Sequence, residues 1–79
     1  MEYIIKVNDS QTGMFDKFST ENGKLSSEYP EAEIFNDLNV AKNRADHIVE
    51  NRYKTAKVNV KVIANYGMDD EMECYFRWK

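Results

Sequence analysis

Between Tyr53 and Ala56 the hydrophobic period of this chain changes from about 3.6 residues to 2. Upstream, Leu38, Ala41, Ala45, Ile48, Val49 and Arg52/Tyr53 recur at helical spacing. Downstream, Ala56, Val58, Val60 and Val62 alternate with polar residues, and after a turn Met72, Cys74, Phe76 and Trp78 do the same. The pattern predicts one helix over about 37–54 and a C-terminal hairpin over about 56–79. Asn36 or Asp37 can cap the helix, no proline or glycine interrupts it, and Arg52 and Lys54 suit its negative end. Lys42, Asn43, Asp46 and Glu50 fall on the face expected to be wet.

The first half reads less evenly. Tyr3, Ile5 and Val7 alternate with Ile4 and Lys6 as a short strand that ends at Asn8-Asp9-Ser10. Asn22-Gly23, flanked by Phe18 and Leu25, signals a tight hairpin turn. Ala32, Ile34 and Phe35, after Pro30, form a further candidate strand. These elements give an α+β fold: a two-layer sandwich with one helix packed on an antiparallel sheet of three to four strands, in one domain over residues 1–79. The sheet's second face has no helix to cover it.

Pleat alternation sets the expected register of the closing hairpin. Inward residues face inward ones across an odd loop centred on Gly67, which pairs Val62 with Met72, Val60 with Cys74, Val58 with Phe76 and Ala56 with Trp78. That register sets Lys61 against Glu73, which is favourable, and Lys57 opposite Arg77, which is not. A two-residue slip removes the clash. The outward face then carries Lys57, Lys61, Ile63, Tyr75 and Arg77, and the hairpin tip carries Asp69, Asp70 and Glu71.

Composition narrows the function classes. The net charge is −3, from 11 basic and 14 acidic side chains, so the basic excess of a dedicated nucleic-acid binder is missing. The one cysteine, Cys74, rules out an internal disulfide and suits a reducing cytoplasm. No apolar run reaches the roughly 18 residues of a membrane span, so no membrane partner is expected. His47, the single histidine, reads as a helix-boundary residue, and Cys74 as a small buried hydrophobe. Neither the acidic tip nor Glu28, Glu31 and Glu33 has calcium-loop spacing. The chain has no phosphate loop and no Ser–His–Asp set, so the expectation is a protein that is not an enzyme, with no cofactor and no metal.

The stretch Ile34-Phe35-Asn36-Asp37-Leu38-Asn39-Val40-Ala41-Lys42-Asn43-Arg44-Ala45 has a strand ending in a capping residue, then leucine, then alanines four apart. With the two-strand finish, it resembles the strand–helix–hairpin layout of small phage and mobile-element proteins, including some small anti-CRISPR proteins. The resemblance covers about half the chain and transfers no functional residue. It implies a phage-encoded inhibitor of a host defence or regulatory complex, acting in the host cytoplasm by contact with a protein or ribonucleoprotein. The expected contact residues are Lys57, Lys61, Ile63, Tyr75, Arg77, Asp69, Asp70 and Glu71. Two alternatives stand beside it: a single-stranded nucleic-acid-binding module using the open sheet face, and a structural homo-oligomer.

Overall fold

The alternation of Tyr3, Ile5 and Val7 with Ile4 and Lys6 forms strand β1 (Tyr3–Asn8), the middle of a five-stranded antiparallel sheet. The structure is a computed structural model that describes residues 1–8, 15, 17–21, 24–52, 59–65 and 71–78, with 51, 52 and 78 by backbone alone. In chain order the elements are β1, β2 (Lys17–Ser19), β3 (Leu25–Ser26), a 3₁₀ turn (Tyr29–Glu31), helix α1 (Leu38–His47), a π turn (Ile48–Arg52), β4 (Asn59–Ala64) and β5 (Met72–Trp78). The strand order is β3-β2-β1-β4-β5, with α1 on one face. The α+β two-layer class holds, with five strands where three to four were expected.

The core follows from the two hydrophobic periods. Ile5 and Val7 of β1 and Val60 and Val62 of β4 meet Ala41, Ala45, Ile48 and Val49 from the helical side, with Phe35 at the margin. Ala41 and Ala45 are fully buried; their small side chains let the helix backbone approach the sheet. Asp37 caps α1, its carboxylate accepting the Asn39 amide at 2.8 Å. The predicted helix to residue 54 gives way at Ile48 to the wider π turn, a change that no proline or glycine announces.

The Asn22-Gly23 signal corresponds to a real hairpin between β2 and β3, in which Phe18 pairs with Ser26 and Ser19 with Leu25. The turn residues themselves lie outside the described ones. Thr20 closes the hairpin, its amide and hydroxyl both donating to the Lys24 carbonyl, at 3.0 and 2.9 Å. The candidate strand over Ala32, Ile34 and Phe35 is corrected. Pro30 sits in the 3₁₀ turn, and only Phe35 pairs, exchanging two 2.8 Å hydrogen bonds with Tyr3 as an isolated bridge. Proline's fixed φ and missing N–H favour a short turn over a ladder at that point.

The β4–β5 register also differs from expectation. Ala64 pairs with Met72 and Ile63 with Glu73, a two-residue slip that keeps the loop odd. A bulge between Val62 and Ile63 then leaves Cys74 without a counterpart, and Val62 faces Tyr75, Lys61 faces Phe76 and Val60 faces Arg77. Trp78 does end in the ladder, opposite Asn59. The pairs expected for Val58 and Ala56 fall outside the described residues. Among the described residues no helix is long and apolar enough to cross a membrane.

The close helix–sheet approach generates a prediction. Ala45→Leu forces an overpacked interface and lowers unfolding stability by about 1–3 kcal/mol, whereas Asn43→Ala on the exposed side stays within about 0.5 kcal/mol. Urea denaturation of the two variants checks the contrast.

Candidate functional site

Strand pairing decides where the expected contact residues lie. Directly paired residues share a face, so Tyr75 and Arg77, opposite Val62 and Val60, point toward the helix and not outward. The Tyr75 hydroxyl donates to Asp46 Oδ1 at 2.6 Å. Arg77 bridges two carboxylates one helical turn apart, Nη1 to Asp46 Oδ1 and Nη2 to Glu50 Oε1, both at 2.8 Å. The Lys42 ammonium stands 5.5 Å from the Tyr75 ring centroid. Lys42 and Asp46 are therefore half-buried beside β5, whereas Asn43 and Glu50 are exposed as expected, Glu50 reaching Arg77 from the rim.

The electrostatics of this clasp are coupled. Donation from Tyr75, helped by the Arg77 guanidinium, lowers the Asp46 pKa against the opposing effect of burial. The same hydrogen bond to Asp46, together with burial, raises the Tyr75 pKa. Arg77 is raised by its bonds to Asp46 and Glu50 and stays charged. Asp46 and Glu50, like charges at i and i+4, would repel without a cation between them. Sequence reading missed the clasp, although two carboxylates at that spacing beside an arginine-bearing strand are a recognisable signal for a bridging cation.

The outer face is not bare. Ile63 lies on it as expected, opposite Ile4, but the two are 1% and 0% exposed. Ile63 is thus withdrawn from any contact surface. Lys6 reaches from β1 to Glu71, donating to both carboxylate oxygens at 3.0 and 3.1 Å. Lys61 does face outward; it sits 4.0 Å from Glu73 and 4.5 Å from the Phe15 ring centroid. Phe15 in turn meets Phe76 edge-on, and Phe18 meets Tyr29 likewise. Glu71 is a brace for Lys6 rather than a free acid at the tip. Lys57, Asp69 and Asp70 lie outside the described residues.

The exposure along β5 also departs from several core expectations. Met72 and Phe76, expected inward, are 43% and 38% exposed, and Cys74 is half-buried with its thiol donating to the Met72 carbonyl at 3.6 Å. Of the second acidic group, Glu31 accepts from Ser26 at 2.6 Å and Glu33 pairs with Arg44. Among the described residues no cluster of His, Cys, Asp and Glu has metal-binding geometry. His47 is exposed on α1.

Comparison with protein-family models, with curated proteins and with solved structures gives no match for this chain.

The clasp makes stability depend on pH at both ends. A lowered Asp46 pKa adds stability that is complete above its ordinary value of 3.8 and is lost as pH falls through the native value. A raised Tyr75 pKa adds stability that is complete below 10.0 and is lost as pH rises through the native value. The stability difference between wild type and Asp46→Asn should therefore shrink on acidification, and that between wild type and Tyr75→Phe on strong alkalinisation. Urea midpoints across pH measure both. Differences that stay constant with pH would show that Asp46 and Tyr75 are not coupled.

Proposed function

We propose that this chain is a small non-enzymatic binding protein that works by contact with another protein, through the β5 side of its sheet. The observation that carries the reading is that β5, the outermost strand of the described sheet, displays Met72, Glu73 and Phe76 at its surface. Methionine and phenylalanine are enriched in protein interfaces, and an edge strand presents backbone groups as well as side chains. The face around it is close to neutral, because Lys6 is occupied by Glu71 and Lys61 stands beside Glu73. That neutrality favours a protein partner over single-stranded nucleic acid, whose binding needs uncompensated cations.

The likeness to small phage and mobile-element proteins extends the proposal to a phage-encoded inhibitor of a host defence or regulatory complex, with a CRISPR effector as one such target, acting in the host cytoplasm. This extension rests on the strand–helix–hairpin pattern of residues 34–45 and the closing strands. Contact residues revised by the fold are Met72, Glu73 and Phe76, with Lys61 retained at the margin.

The test compares wild type with a Met72→Glu, Phe76→Glu double variant in capture from host-cell lysate. Wild type retains a discrete protein, and the variant loses it by about tenfold or more while keeping its circular dichroism spectrum. Undiminished capture by the variant would remove the β5 surface from the account. Retention of nucleic acid that disappears with added salt would replace the protein-binding reading altogether.

A further inference from the structure

β5 is held differently from its neighbours. Among the described residues, every fully buried strand side chain belongs to β1 or β4: Ile4, Ile5, Val7, Val60, Val62, Ile63 and Ala64. Among the described side chains of β5, Met72 to Arg77, none is buried. Its ladder to β4 is interrupted at Cys74, which separates Met72–Glu73 from Tyr75–Trp78. Toward the helical layer the Tyr75 ring packs against the edge of the core, and the hydrogen bonds run from Tyr75 to Asp46 and from Arg77 to Asp46 and Glu50. Those groups are partly open to solvent, so dissolved ions screen them, whereas the apolar β1–β4–α1 core is indifferent to salt at that level.

We propose that Tyr75–Trp78 is a releasable strap, latched to α1 through Arg77 and able to open while β1, β4 and α1 stay folded. Removing Arg77 loses two ion pairs and also leaves Asp46 and Glu50 facing each other unneutralised. Opening uncovers the edge of β4 from Asn59 to Val62, whose backbone groups then become available to a strand from elsewhere. The device does not depend on the contact reading above, which uses β5 in its closed position. Local opening of a weakly buried unit ahead of the core is ordinary behaviour for a small domain.

Amide hydrogen exchange on the full chain, followed residue by residue, tests the proposal. In wild type the protected amides of Tyr75–Trp78 should exchange at least about tenfold faster than those of β1 and β4, and raising salt to about 0.5 M should widen the gap. Arg77→Gln should speed the strap amides about tenfold at low salt, remove their salt response, and change β1 and β4 by less than about twofold. If the strap and the central strands exchange at one common rate in wild type at both salt levels, the sheet opens as a single unit and the strap does not exist. The wild-type salt series decides this even if the Arg77 variant does not fold.

Discussion

At Cys74 the β4–β5 ladder takes in one residue more on β5 than on β4, and every side chain beyond that point changes face. Tyr75 and Arg77 are carried to the helical side, where Asp46 and Glu50 wait one turn apart; Phe76 is carried outward beside Lys61. Without the bulge, Tyr75 and Arg77 would lie on the outer face and the two helix carboxylates would have no cation from the sheet. The joint between the layers on this side therefore combines the Tyr75 ring with polar groups, while the joint over β1 and β4 is apolar. One irregularity in the ladder sets both the inner and the outer character of the edge strand.

The periodic parts of the chain were legible in the sequence for physical reasons. Ala41, Ala45, Ile48 and Val49 repeat at helical spacing because they line one buried stripe, and Val60 and Val62 alternate because they line one pleated face. Asp37 as the cap and the turn between Phe18 and Leu25 could be read because each rests on local chemistry. The β5 side chains were misassigned because alternation carries no mark of a bulge: the order Met72, Cys74, Phe76, Trp78 looks like an unbroken apolar face. Three of the expected contact residues fell with it or beside it. Tyr75 and Arg77 turned inward with the bulge, and Ile63 is covered on the outer face.

The outer face illustrates how a sheet face that carries no helix among the described residues can still bury its aliphatic centre. Ile4 and Ile63 stand side by side, Lys6 on the neighbouring stretch of β1 bridges to Glu71, and Phe18 lies 5.8 Å from its ammonium. Long lysine side chains cover apolar surface with their stems while keeping the charge wet. This arrangement compensates charge locally and leaves Glu73 and Phe76 as the more open part of that face, with Met72 exposed opposite Ala64 at the start of the strand. The proposed contact surface and the proposed strap thus both lie on β5.

The most direct test of this account is the orientation of Tyr75 in solution, read from nuclear Overhauser contacts of its ring. The account predicts cross-peaks from the Tyr75 ring to protons of Lys42 and Asp46 on α1, and from the Phe76 ring to Phe15. Contacts from the Tyr75 ring to Phe15 or to the Lys61 side chain instead would place it on the outer face, and would contradict the bulge, the clasp and the strap together.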